Sequence, residues 1–332
     1  MIPFVKMTLA FCLAAAPSIS AFAQLPAPEG PIIFGPYTQN QLDATYDQAF
    51  WRNDPPETTQ RSVAISNDVR SRFGEPTRLA YGSSSNEMLD IYTSSARGKS
   101  PVMVFIHGGA WRGGVARTSA GSAEMFMEAG AHYIALDFVN VLQNNGNLME
   151  MADQVRRALI WTYNNAHSFD GDRRQLYVSG HSSGGHLCGV AMTTDWTKYG
   201  MPRDMIKGGV CSSAMYDLTP VALSSRRTYV NFTPDVVQQL SPVFNLQHLV
   251  SPIVVGHGTK ESPEFIRQSK DFVQIARAAG KKVVYVEGVG HNHFEFPETL
   301  GNPYGYLGRE ALSLMGLEPH GARGPGRKNK HN

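Results

Sequence analysis

Charge is what this sequence is short of. Only 17% of its 332 residues are charged, 30 basic against 28 acidic, so the formal balance of +2 gives no electrostatic case for a nucleic acid or an anionic membrane as partner. Several signatures are missing as well. No apolar run reaches the ~20 residues a membrane-spanning helix needs. No G-x-G-x-x-G follows the first strands and there is no P-loop, which removes the usual dinucleotide and nucleotide cradles. H-E-x-x-H is absent, and His291 and His293, two apart on a loop, have no cysteine or carboxylate at ligand spacing, so no metal site is expected. Nothing here calls for a cofactor. Cysteine is the scarcest reactive residue, at 3.

The N-terminus carries an address. Lys6 precedes the apolar run Met7 to Ala16, and Ser20-Ala21-Phe22-Ala23-Gln24 supplies an A-x-A site. That is the pattern of a secretory signal peptide over residues 1–23, cleaved after Ala23, with a retained anchor as the rival. Phe11 stands where a lipoprotein cysteine at Cys12 needs a small residue, so no lipid anchor is expected. The mature protein is then periplasmic or secreted. It retains Cys188 and Cys211, whose pairing stays open: an oxidising compartment favours a disulfide, while apolar surroundings suit free thiols. Residues 24–38 are proline-rich and read as an extended lead-in. Residues 319–332 form a basic tail without an apolar face, expected to be disordered.

Between them, residues 39–318 read as a single catalytic domain. Gln39 to Phe73 is helical but interrupted at Asn53-Asp54-Pro55-Pro56, giving two short helices. Thr77 to Gly82 and Glu87 to Tyr92 flank Ser83-Ser84-Ser85-Asn86 as a hairpin. From Pro101 onward, short continuous apolar runs recur: Val102–Ile106, His132–Leu136, Gln175–Val178, Gly209–Cys211, Ile253–Val255 and Lys282–Val286. Such runs suit strands buried on both faces. Helical patterns lie between them at Ala120–Ala129, Leu148–His167, Ser183–Thr194 and Pro263–Ala279. The last opens on Ser262 as N-cap and stops before Gly280. Alternation of this kind predicts an α/β fold with a doubly wound, mostly parallel sheet, an antiparallel N-terminal hairpin and a short cap segment at 218–250. Ligands bind beyond the carboxyl ends of such strands.

At one of those ends stands Gly180-His181-Ser182-Ser183-Gly184. An isolated five-residue match of this kind arises by chance; a strand before it and a helix after it give it meaning. The glycines admit a sharp backbone turn, and the hydroxyl of Ser182 stands at a helix N-terminus, within reach of a base. Upstream, directly after Ile106, comes His107-Gly108-Gly109-Ala110-Trp111. Its glycines let backbone N–H groups converge on a developing negative oxygen, so Gly109, Ala110 and Ser183 are assigned to an oxyanion hole, with His107 bracing the loop.

A serine hydroxyl needs a histidine, and the histidine needs a carboxylate. In this fold the chain order is serine, acid, histidine. His293 ranks ahead of His291, and His257 comes one strand too early. Glu261 is the first carboxylate beyond its strand and ranks ahead of Asp217 and Glu264; the last suits a helix N-terminus. Trp111, Tyr216, Tyr229 and Phe294 serve either as an apolar substrate wall or as plain core.

His-Gly-Gly-x-Trp followed by Gly-His-Ser-x-Gly resembles the α/β-hydrolase superfamily, in particular the esterase branch that holds kynurenine formamidase (arylformamidase). Leu89-Asp90-Ile91-Tyr92, Ser213-Ala214-Met215-Tyr216-Asp217-Leu218 and Ser262-Pro263-Glu264-Phe265 are similar to segments of that family, and the likeness runs from about Tyr46 to Met315. It implies Glu261 as the acid, in place of the family's usual aspartate, and His293, which sits in a His-Phe pair, as the base. Ala110 stands where the family often has tyrosine, and an export signal is foreign to intracellular tryptophan catabolism. The expected activity is therefore hydrolysis of carboxylic esters by an exported serine hydrolase acting on small molecules. The rivals are an aryl-formamide or other amide hydrolase, and a non-catalytic binding protein on the same fold. An intact triad argues against the last.

Overall fold

The computed structural model describes residues 24–52 and 57–319. The expected signal peptide, and the basic tail beyond its first residue, lie outside the described residues. The lead-in is not wholly extended, because β1 (Ile32–Phe34) and β2 (Tyr37–Thr38) pair antiparallel. Three helices follow rather than two: α1 (Gln39–Tyr46), α2 (Gln48–Trp51) and α3 (Glu57–Phe73). The extra break falls at Asp47, which is extended and whose carboxylate accepts the Ala49 N–H at 3.0 Å, capping a new helix.

The expected hairpin is β3 (Thr77–Ala80) with β4 (Met88–Tyr92). Strands and helices then alternate: β5 (Ser100–Ile106), α4 (Ala123–Glu128), β6 (His132–Leu136), α5 (Leu148–Asn165), β7 (Gly171–His181), α6 (Ser183–Met192) and β8 (Gly208–Ser212). The segment read as a cap contains α7 (Leu218–Leu223) and α8 (Pro234–Leu240). After it come β9 (Ile253–Gly258), α9 (Pro263–Ala278), β10 (Val283–Gly288) and α10 (Tyr306–Met315).

Eight strands form one sheet in the order β10-β9-β8-β7-β5-β6-β4-β3. The neighbours from β10 to β6 run parallel, and β4 and β3 close the far edge antiparallel. Alternate side chains serve opposite faces. Val102, Val104 and Ile106 of β5 join one core with Ile134 and Leu136 of β6 and Ile253 and Val255 of β9. Met103, Tyr133, Ala135 and Val254 join the other, which α10 closes with Leu307, Ala311, Leu312 and Met315. This two-sided burial is why the strands read as unbroken apolar runs. Each fully buried aliphatic side chain is worth about 1.5–3 kcal/mol.

The parallel strands bring five chain segments to one edge of the sheet. His107 follows β5, Ser182 follows β7, Ser213 follows β8, Glu261 follows β9 and His293 follows β10. Behind that edge, Cys188 of α6 and Cys211 of β8, both wholly buried, are joined in a disulfide across 23 residues of sequence. We predict that the Cys188→Ala/Cys211→Ala double variant loses about 2–4 kcal/mol of stability. Chemical denaturation of the two proteins checks this, and reductant is expected to shift the midpoint of the wild type alone.

Candidate active site

Ser182 sits between β7 and α6 with φ 58° and ψ −124°, a conformation that L side chains rarely adopt. Packing enforces it. A β-carbon at Gly184 would collide with the carbonyl oxygens of Ile106 and His107, and one at Gly180 with the carbonyl oxygen of Gly184. Only glycine lets these backbones approach, so the chain must turn sharply at the residue between them. The Ser182 N–H donates to the Ser212 carbonyl at 3.0 Å, tying the turn to the end of β8.

The structure brings Ser182, His293 and Glu261 together. His293 Nε2 lies 2.9 Å from Ser182 Oγ, and His293 Nδ1 lies 2.8 Å from Glu261 Oε2. A carboxylate only accepts, so Nδ1 carries the proton and Nε2 is left to accept from the serine. Glu261 Oε1 receives the Gly258 N–H and the Ser213 hydroxyl, each at 2.6 Å. Burial pushes the Glu261 carboxyl up, but the His293 imidazole and these two donors outweigh it and hold the carboxyl below its ordinary value. A second imidazole, His181, packs on His293 with ring centres 4.6 Å apart. Burial, and then the charge His293 would carry, push it down to about 3, so it stays neutral.

The other sequence candidates are placed elsewhere. His291 turns its Nδ1 to the Val289 carbonyl at 3.0 Å and its ring toward Phe296 and Tyr306. His257 meets the Tyr285 hydroxyl at 2.7 Å. Asp217 caps α7 through the Thr219 N–H at 2.8 Å. Glu264, wholly buried, receives Arg267 through two bonds at 2.8 and 2.7 Å and the Tyr46 hydroxyl at 3.0 Å.

The loop after β5 is bent at three successive residues with positive φ: Gly109 (117°), Ala110 (55°) and Trp111 (62°). Gly108 backs directly onto Ser182. Among the described residues no acceptor takes the backbone N–H of Gly109, Ala110 or Ser183. His107 stacks on Phe138 at 4.3 Å with its Nδ1 2.9 Å from the Gly108 carbonyl oxygen, and burial lowers its pKa, the environment of a brace.

Two of the expected wall residues are core instead. Trp111 is 1% exposed; its Nε1 donates to His186 Nδ1 at 3.2 Å, and the Arg226 guanidinium lies over its ring at 5.3 Å. It pins the loop from below. Tyr216 is equally buried, stacked on Phe272 at 4.2 Å with its hydroxyl donating to the Cys211 carbonyl at 2.8 Å. Phe294 remains half-buried, edge-on to His293 at 5.5 Å, with Arg52 over its ring at 4.9 Å. Sequence reasoning names His181 and Ser213 only as members of their motifs and misses their contacts with His293 and Glu261, which are made across the sheet edge and leave no local signal. No cluster of three metal-ligating side chains occurs among the described residues.

The sequence profile of the BD-FAE family matches residues 89–275. The kynurenine formamidase of Danio rerio is 31% identical over 295 residues, covering 84% of this chain and 97% of that protein. Esterase LipC of Mycobacterium tuberculosis (strain ATCC 25618 / H37Rv) is 26% identical, covering 70% of this chain and 63% of that protein. Among solved structures, EstE1, a thermophilic and thermostable carboxylesterase cloned from a metagenomic library, superposes with a TM-score of 0.65 at 17% identity. It covers 79% of this chain and 96% of its own. That likeness speaks to the fold.

Two predictions follow from the geometry. Gly184→Ala forces apart the backbones that meet at the serine turn, so it is expected to cost about 1–3 kcal/mol in stability and most of the activity. Thermal unfolding and turnover measured on one preparation check both. Glu261 has a folded-state pKa below its ordinary 4.5, so its contribution to stability is present above that value and is lost as pH falls through the folded pKa. The stability difference between the wild type and Glu261→Gln is therefore expected to shrink below about pH 4.5 in denaturation series run at descending pH.

Proposed function

Because the chain belongs to the BD-FAE family of α/β-hydrolases and is a hydrolase, we propose that it is an exported serine hydrolase cleaving carboxylic esters through Ser182, His293 and Glu261. The observation that carries this is the unbroken hydrogen-bond chain from Ser182 Oγ through both nitrogens of His293 to Glu261.

Ser182 attacks the ester carbonyl while His293 Nε2 takes its proton, and Glu261 holds the imidazole in the required tautomer and stabilises the imidazolium. The oxygen that becomes negative is held by the N–H groups of Gly109, Ala110 and Ser183, at the start of α6; one such donor is worth about 3 kcal/mol of barrier. The proton on His293 then passes to the leaving alcohol. Water, deprotonated by the same imidazole, releases the acyl group from Ser182. His181 is too hard to protonate to compete as the base.

Residues 39–318 act as one catalytic domain in this reading. The segment 218–250 serves as the cap in this reading, and Phe294, half-buried edge-on to His293, contacts the substrate. Ala110 leaves room beside the acyl group. Export is supported by the disulfide, which persists in oxidising compartments. A second reading, hydrolysis of an aryl-formamide, has its support in the Danio rerio relative. The same machinery serves it, with an amine as the leaving group.

Turnover of short p-nitrophenyl esters and of N-formylkynurenine, measured side by side, tests the choice. Esters are expected to dominate, and dominance of the formamide would overturn the ester assignment. Ser182→Ala is expected to lower kcat by about a thousandfold or more. Full activity in that variant would falsify every catalytic role given above. Export predicts a mature N-terminus at Gln24, read by sequencing the protein from the extracytoplasmic fraction.

A further inference from the structure

We propose that Ser213 is a positioning residue for the triad: its hydroxyl and the Gly258 N–H clamp one oxygen of Glu261 so that the other faces His293. The proposal rests on the reading of Glu261 as the partner of His293.

A glutamate carries one more rotatable bond than an aspartate, so its carboxylate has more directions to lose before it meets an imidazole. In a dry site it also needs donors for the oxygen that does not face the histidine. Both needs are met at one atom. Glu261 Oε1 accepts from Ser213 Oγ and from the Gly258 N–H, each at 2.6 Å, while Oε2 lies 2.8 Å from His293 Nδ1. With Oε1 held from two sides, the plane of the carboxylate is fixed.

Ser213 is built for this contact at a local cost. It is wholly buried and has φ 51°, a left-handed conformation unusual for a residue other than glycine. Its N–H donates to the Gly256 carbonyl at 2.7 Å, which locks that conformation against β9. The preceding residue faces the other way. The Ser212 carbonyl accepts the Ser182 N–H at 3.0 Å, and the Ser212 hydroxyl donates to the Gly180 carbonyl at 3.1 Å. The Ser212-Ser213 corner therefore grips the serine turn by its backbone and the carboxylate by its side chain. The Cys188–Cys211 disulfide ties the same strand to α6 just behind the corner. A hydroxyl held at a strained position, with a carboxylate as its acceptor, sets the distance between the two ends of the triad.

The groups around the carboxylate are His293 from the loop after β10, Ser213 from the corner after β8 and the Gly258 N–H of β9. Tyr216 and the neutral His181 are its other titratable neighbours.

Ser213→Gly and Ser213→Ala separate positioning from simple stabilisation. Both delete the hydroxyl, but glycine relaxes the strained backbone while alanine keeps it, so glycine is expected to be the more stable of the two. If the hydroxyl positions Glu261, kcat falls about tenfold in both variants, the scale of one hydrogen bond to a charged group, with KM changed less than about twofold. The acid limb of the pH–kcat profile also moves to higher pH, because Glu261 loses a donor to its ionised form. A loss of kcat seen in alanine but not in glycine, or an acid limb that stays in place, would overturn the clamp. Should the alanine variant fail to fold, the glycine variant decides alone. Ser182→Ala separates the two levels of failure. Activity surviving in it removes the triad itself, whereas an inactive Ser182→Ala beside a wild-type Ser213→Gly removes only the clamp.

Discussion

The crowding of three backbones at Ser182 is the constraint on which the site depends. The end of β5, the end of β7 and the first turn of α6 approach until no β-carbon fits at Gly180 or Gly184. The residue between them is driven to positive φ, at a cost of roughly 1–3 kcal/mol. That cost is offset by the elements on either side. β7 is paired with β5 along one edge and β8 along the other, and every residue of α6 is buried. Strain is thus stored where the hydroxyl must stand clear, and the surrounding sheet over-determines the turn.

Two glutamates show how surroundings, rather than residue type, assign a role. Glu261 and Glu264 are three positions apart and both buried. Glu261 meets an imidazole, a hydroxyl and a backbone N–H, and so faces His293. Glu264 meets Arg267 and Tyr46, and so ties α9 to α1. The Tyr46 hydroxyl also receives Gln268 at 2.8 Å, and the Gln268 carbonyl takes the N–H groups of Tyr216 and Asp217 at 2.7 and 2.9 Å. A buried polar chain thereby runs from the N-terminal helix to the segment after β8. Satisfied throughout, such a network fixes the acid loop's surroundings with little freedom left.

The parts legible in the sequence are those written locally. Val102 to Ile106 read as a buried strand because the residues on both of its faces are apolar, and the glycines of His107–Trp111 and Gly180–Gly184 marked turns that other residues resist. Elsewhere the local signal was absent or mute. β1 and β2 are too short for any period to register. The pairing of Cys188 with Cys211 depended on which faces of α6 and β8 meet. Trp111 and Tyr216 were equally plausible as wall or core, since an aromatic ring suits either, and packing beneath Arg226 and Phe272 settled them as core. α10 is a helix that a motif-centred reading misses, although Leu307, Ala311, Leu312 and Met315 carry helical spacing.

By itself, then, the sequence determined the alternation of strands and helices, the order in which serine, acid and histidine occur, and the strand ends that carry them. Those properties depend on local period and on position along the chain. Tertiary structure decided which groups touch: Ser182 with His293 across 111 residues, His293 with Glu261 across 32, and Ser213 with Glu261 across 48. It also turned His291 away from the site and His293 into it, though they lie two positions apart in one loop. The physical reason is that parallel strands bring distant chain ends to a common edge, and only the packing around that edge sets the direction in which each side chain leaves its backbone.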